Sequence, residues 1–281
     1  MTKSSLRRMN AEWPWPLPEG DTSSTDAWPG GRVLTQRSWH PESLLWLGCI
    51  LMVTLGLGGG LAGYFKDGSV EQMAANVAVL PLSILVSVIS WMLISAKFYN
   101  TPIGLKDTFG LNRGRVKTCL AFGLGGGVVI IPVAMFLMLL TSFVVNALAD
   151  EAPEGQKLVT VIAEQAQAEG GLEFLIFFAF MAVVVAPIGE EILFRGILYP
   201  SIKQNGYPKV AIFGTAVLFG LFHVNLLTFA SLTFVGLALI FIYEKTDNLL
   251  APILAHAFFN AVNVSLILMA SKGIPDTGMI Q

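Results

Sequence analysis

The sequence predicts an all-α protein: a polytopic transmembrane helix bundle of about seven spans, or eight if one of the longer apolar segments divides. Three observations lead there. Of the 281 residues, 54% are hydrophobic. Only 13% are charged, against about 25% in a typical soluble domain, which leaves too little polar surface to coat a water-soluble globule. The apolar residues also gather into long runs, and the mean hydropathy is +0.68. A net charge of −2 provides no basic field for nucleic acid.

Taken in order, residues 1–43 form a polar stretch rich in Trp and Pro (AEWPWPLPEG). Proline disfavours helix, so this stretch reads as a flexible arm whose tryptophans can rest at a membrane interface. The first apolar run starts near Ser43, too late for a signal peptide. Apolar segments follow at about 44–64, 75–96, 118–146, 172–199, 209–225, 227–243 and 249–270. Most reach the roughly 20 residues that a spanning helix needs. The third and fourth are longer, and Pro187 is expected to kink the fourth. Residues 44–281 thus read as one membrane domain, with the polar machinery at about 172–270.

Lysine and arginine set the orientation. Lys3, Arg7, Arg8, Arg32 and Arg37 lie in the arm, and Lys97, Lys106, Arg113, Arg115 and Lys117 follow the second segment. Lys203, Lys209 and Lys245 fall on the same side, whereas the loop at 147–171 is acidic. The arm is therefore expected in the cytoplasm, and a bacterial inner membrane is the expected location.

Two GLGGG runs, at 56–60 and 123–127, lie within spans and lack the Lys-Ser/Thr of a phosphate loop. Gly56/Gly60, Gly59/Gly63 and Gly123/Gly127 read instead as small pairs for close helix packing. Cys49 and Cys119 sit in apolar runs and read as small buried hydrophobes.

Ionisable residues inside spans are costly and point to function. Here they cluster in the second half. In PIGEEILFRG, Glu191 and Arg195 are i,i+4 neighbours that can pair, while Glu190 lies about 100° further round the helix, free for chemistry. An ion cluster that merely locks the helix is the competing reading. In FGLFH, Phe219 and His223 share a face. Glu190 lies 14 residues before Gln204, and His223 lies 15 after Pro208, on either side of a QNGYP turn. An antiparallel hairpin brings both to about 20 Å from that turn, where a carboxylate and an imidazole can share a water. In HAFFN, His256 and Asn260 share a face and can both donate, as an oxyanion hole requires or as helix–helix glue. On straight helices His256 sits shallower than His223, so tilting or breaking of helices is needed to bring all four groups together.

EExxxR, FxxxH and HxxxN in this order resemble the CAAX prenyl protease type II family, also called CPBP, over about residues 172–270. The resemblance implies that Glu190, helped by His223, activates a water for attack on a peptide carbonyl. It further implies that His256 and Asn260 stabilise the oxyanion, and that Glu191 and Arg195 hold their helix. It implies no cofactor, and a peptide or protein substrate that is membrane-associated or lipidated. Residues 1–170 carry no matching motif.

Other readings use the same residues. Glu190, His223 and His256 could hold a divalent metal, although HExxH is absent. A proton-coupled transporter could use them as a relay, and a scaffold or immunity protein could use the site without cleavage. No GxSxG elbow or intraspan aspartate dyad is present, and no spacing ties Ser231 or Ser265 to a histidine.

Overall fold

The computed structural model describes residues 41–98, 109, 111, 116–148, 162, 164–165 and 171–272. Residues 1–40 of the predicted arm, and most of the predicted basic and acidic loops, lie outside the described residues. All regular structure among the described residues is helical. Seven helices carry the fold: α1 (Pro41–Ala62), α2 (Val70–Phe98), α3 (Val116–Leu148), α4 (Gly171–Gln204), α5 (Pro208–Phe222), α6 (Leu226–Thr246) and α7 (Leu250–Lys272).

Six of the seven are long and apolar enough to cross a membrane. The exception, α5, has 15 residues and spans about 22 Å, against about 30 Å for a hydrocarbon core. The fifth apolar segment is therefore shorter than a full crossing. Its last apolar residues turn instead into α6, whose first turn is capped by Asn225: Oδ1 accepts from Leu227 N and Thr228 N.

α1 packs on α2, α5 packs on α6, and α3 packs on both α6 and α7. α4 lies between α2, α5 and α7. One apolar cluster draws buried side chains from all seven helices, including Leu47, Trp91, Ile130, Phe194, Phe219, Leu239 and Ala255. Outside it, large apolar side chains such as Val53, Phe143 and Phe213 face outward, as a hydrocarbon solvent permits.

α4 is not a uniform α-helix. Met181–Val185 and Ile192–Leu198 are wound as π-helix, with α-helical turns before, between and after them. Each wide segment ends two residues before a proline: Val185 before Pro187, and Leu198 before Pro200. The Ala186 N–H donates to Met181 O, five residues back. In that register the next carbonyl, Ala182 O, should receive the N–H of residue 187, and proline has none. Pro187 thus leaves a carbonyl of α4 available to another helix.

The second glycine run packs as predicted. A Cβ on Gly123 would lie 2.8 Å from Leu254 Cβ and 3.0 Å from Ala251 O, and one on Gly127 would lie 2.6 Å from Phe258. The first run differs. A Cβ on Gly56, Gly59 or Gly60 would meet nothing within 4 Å, and Gly63 meets only carbonyls of its own helix. Among the described residues α1 leans on α2 through Gly58 and apolar side chains, so the other glycines of that run point away from the interface. Cys119 is buried as expected, but Cys49 is exposed on the outer face of α1.

This packing separates the two runs in their response to a methyl group. Gly123→Ala should destabilise by about 1–3 kcal/mol through overpacking against the α7 backbone, whereas Gly56→Ala should stay within about 0.5 kcal/mol. Thermal denaturation of the two variants in one detergent measures the difference, and equal losses would contradict the assignment of the α3–α7 contact.

Candidate active site

Glu190 and Glu191 end the short α-helical stretch between the two π segments of α4, and both are buried. Glu191 is wholly enclosed. Its Oε1 accepts from Arg195 Nη1 at 2.7 Å and from His256 Nδ1 at 2.9 Å. Arg195 also donates through Nη2 to Gly236 O of α6 at 3.0 Å, and its guanidinium lies 4.7 Å from the Phe219 ring centroid. The i,i+4 pair read from sequence is present, and it extends to a third partner on α7 that the spacing along one helix could not reveal.

Glu190 turns to the other side of α4. Its Oε2 lies 3.9 Å from His223 Nε2 and 3.9 Å from His256 Nε2. Neither distance is a hydrogen bond. Among the described residues Glu190 Oε2 has no hydrogen-bond partner, although it is buried. The hairpin-depth estimate agrees with this geometry, since α4 and α5 carry Glu190 and His223 to one level.

The histidine tautomers follow from their partners. His223 Nδ1 lies 2.8 Å from Phe219 O, which can only accept, so Nδ1 carries the hydrogen. His256 Nδ1 faces a carboxylate oxygen that already accepts from Arg195, so it is a donor as well. In the neutral form both rings therefore aim a bare Nε2 lone pair at the Glu190 oxygen. The Phe219 ring lies between them, 5.1 Å from the His223 ring and 5.5 Å from the His256 ring. FxxxH thus supplies an aromatic spacer as well as an imidazole, a role the sequence reading did not assign to Phe219.

Asn260 lies one turn beyond His256 on α7. Its Nδ2 donates to Ala182 O at 2.8 Å, the carbonyl that Pro187 leaves without an intrahelical donor. One of its two amide hydrogens is therefore committed to α4, leaving one for other use. Asn263 donates to Phe259 O of its own helix.

Access is one-sided. His223 is 30% exposed, whereas Glu190 and His256 are 6% and 3% exposed. His223 caps the end of α5, followed by Val224 in the left-handed region at φ 47°. A β-branched residue there is strained by about 1–3 kcal/mol, and this strain lies beside the only accessible group of the three. Among the described residues, no group of three or more His, Cys, Asp or Glu is disposed to hold a metal ion.

A second polar cluster was not anticipated from sequence. Glu244 Oε1 accepts from Tyr199 Oη at 2.7 Å and from Lys203 Nζ at 2.6 Å, tying the end of α4 to the end of α6. Its spacing of more than 40 residues leaves no local signature.

Fold and site together define a multi-pass membrane protein with a glutamate and two histidines converging inside its helix bundle. Residues 172–262 match the family described as type II CAAX prenyl endopeptidase Rce1-like. The chain is also similar to the Bacillus subtilis (strain 168) protein named "Putative membrane peptidase YdiL", at 32% identity over 77 residues. That stretch is 27% of this chain and 32% of the relative, so the chain spans about a third of that protein's length. No solved structure gives a significant match.

The enclosed ion pair makes a stability prediction. Arg195→Ala should cost about 3–5 kcal/mol, because it leaves the Glu191 charge with only His256. Replacing both residues by apolar side chains (Glu191→Leu with Arg195→Met) should recover a substantial part of that loss. Thermal denaturation of single and double variants in detergent tests both, and a double variant no more stable than Arg195→Ala would contradict the desolvation argument.

Proposed function

We propose that the chain is a membrane-embedded, glutamate-dependent endopeptidase. One observation carries this reading: a buried Glu190 oxygen without a hydrogen-bond partner among the described residues faces two imidazole nitrogens at 3.9 Å each. Contacts of that length suit one water molecule held between the groups. The match to the endopeptidase family over 172–262 and the membrane-peptidase name of the bacterial relative support it.

Glu190 and His223 polarise the water, and its proton passes to the Glu190 carboxylate as its oxygen bonds to the peptide carbonyl carbon. The tetrahedral oxyanion then needs donors. His256 is one when it enters the reaction carrying its own proton at Nε2, which it keeps throughout, with Nδ1–H held on the Glu191 carboxylate. The second amide hydrogen of Asn260 supplies another donor. Collapse breaks the C–N bond, and the proton held by Glu190 or His223 goes to the leaving amine. Arg195 touches none of these atoms; it holds Glu191.

The substrate is a peptide or protein that reaches the bilayer, either a prenylated chain end or a bacterial membrane-associated peptide. Nucleic acid has no place in the reading. A single membrane domain over 44–281, with its working core at about 172–270, is supported by the apolar cluster that joins all seven helices. A bacterial inner membrane with the arm in the cytoplasm is supported by the Lys/Arg distribution and by the bacterial relative.

Glu190→Gln and His223→Ala should each lower peptide hydrolysis by roughly 10²–10⁴-fold while leaving the detergent melting temperature within a few degrees. Substrates can be found by comparing protein termini across producing cells, wild type against Glu190→Ala at matched expression, then confirmed with purified protein. Termini unique to wild type are expected. Identical termini, with unchanged co-purifying partners, would instead favour the scaffold reading.

A further inference from the structure

We propose that the chain binds an anionic phospholipid of its own bilayer in a groove between α3 and α6, with the acyl chain in the groove and the phosphate at Lys117 and Lys245. The proposal is independent of the peptidase reading, because none of these residues belongs to the candidate active site.

The groove has a volume of about 350 Å³, within the range of small-ligand pockets, roughly 300–1,000 Å³. Ala121, Gly125 and Val129 of α3 and Ala238, Phe241 and Ile242 of α6 form its walls, and its lining is almost wholly apolar. Both helices meet the length and composition needed to cross a membrane, so the groove opens to hydrocarbon.

Gly125 makes the room. Within the same glycine run, a Cβ on Gly126 would strike Ile242 at 2.5 Å, and Gly123 and Gly127 pack on α7. A Cβ on Gly125 would meet nothing within 4 Å, and the residue is exposed. The space beside it is therefore an open channel along α3, unlike the closed contacts its neighbours make.

The charge pattern selects the occupant. Lys117, Ala121, Gly125 and Val129 are spaced four apart and form one stripe along α3, with the exposed lysine at the helix start. On α6, Phe241 and Lys245 are also four apart, at the helix end. Gly123 meets Leu254 and Gly127 meets Phe258, so α3 runs parallel to α7 and antiparallel to α6. Relative to the contact of Gly126 with Ile242, Lys117 comes earlier on α3 and Lys245 later on α6, which puts both lysines towards the same end of the groove. Lys245 Nζ sits 5.4 Å from the centroid of the Phe241 ring, a wall of the groove. An apolar channel ending at two cations matches an acyl chain joined to an anionic headgroup, and the bilayer supplies such molecules at high local concentration.

The test uses the full chain purified in detergent, titrated with phosphatidylglycerol or phosphatidylcholine of identical acyl chains, with bound lipid counted by native mass spectrometry. Wild type should prefer phosphatidylglycerol. Lys117→Gln with Lys245→Gln should weaken that lipid by about five-fold for each lysine and leave phosphatidylcholine unchanged. Gly125→Leu, which has room for its side chain, should weaken both lipids. A phosphatidylglycerol carrying a diazirine in its acyl chain should label wild-type segments 121–130 and 238–242, a readout that needs no variant to fold. Equal binding of the two lipids by wild type would overturn the headgroup assignment, and labelling confined to other helices would overturn the groove.

Discussion

A carboxylate sealed from water must find its counter-charge inside the protein, and Glu191 finds two partners at one oxygen. Arg195 reaches it from the next turn of α4 and His256 from α7. The same guanidinium donates to the backbone of α6 and rests on the Phe219 ring of α5. Four helices thus meet at one ion cluster. Full desolvation of such charges is expensive, so the cluster is weak evidence of extra stability. It is strong evidence of geometric constraint, since moving any one helix strands a charge. Gly236 shows how tight the fit is: a Cβ there would lie 3.0 Å from Ala216 Cα. The absence of a side chain lets α5 and α6 approach closely enough to present the carbonyl to Arg195.

From that constraint the reactive end of His256 follows. With Nδ1 fixed on Glu191, the ring has one orientation, and Nε2 must point towards Glu190. His223 reaches the same oxygen by another route, through a hydrogen bond from Nδ1 to the last turn of its own helix. One histidine is set by charge and the other by a helix end. Phe219 keeps the rings apart while filling the space below them. Among the described residues Glu190 Oε2 has no hydrogen-bond partner, and Nδ1 of each neighbouring histidine is committed to another acceptor.

Much of this was legible in the sequence, and the rest was hidden for identifiable reasons. The spans follow from apolar run length, and Glu191–Arg195 follows from helical periodicity. The meeting of Glu190 with His223 follows from counting residues about a Gly-Pro turn. Those signals are local, or symmetric about a turn. Partners such as Glu191 with His256, or Tyr199 with Glu244, lie 65 and 45 residues apart with no such ruler between them. The glycine runs show the same limit. Both have identical letters, yet the run at 123–127 is pressed against neighbouring helices at Gly123, Gly126 and Gly127, and the run at 56–60 only at Gly58. Identity of sequence specifies what a helix face can do, and the position of the neighbours decides whether it does so.

The apparent mismatch in depth between His223 and His256 is resolved within α4. Pro187 was expected to kink the helix, and the chain winds it wider just before the proline. That winding frees the Ala182 carbonyl, and Asn260 of α7 donates to it. One turn before Asn260 on the same face, His256 docks on Glu191. Two contacts, on the acceptors Ala182 O and Glu191 Oε1, therefore fix the height of α7 along α4. Helix rise alone would have left His256 too shallow, but the register of α7 is set by two acceptors of α4: the Glu191 carboxylate and the carbonyl that Pro187 leaves without a donor. In a span without water, a missing N–H has to be answered by another helix. Here the answering residue is Asn260, the last residue of the third motif, and its contact with α4 helps hold His256 level with Glu190.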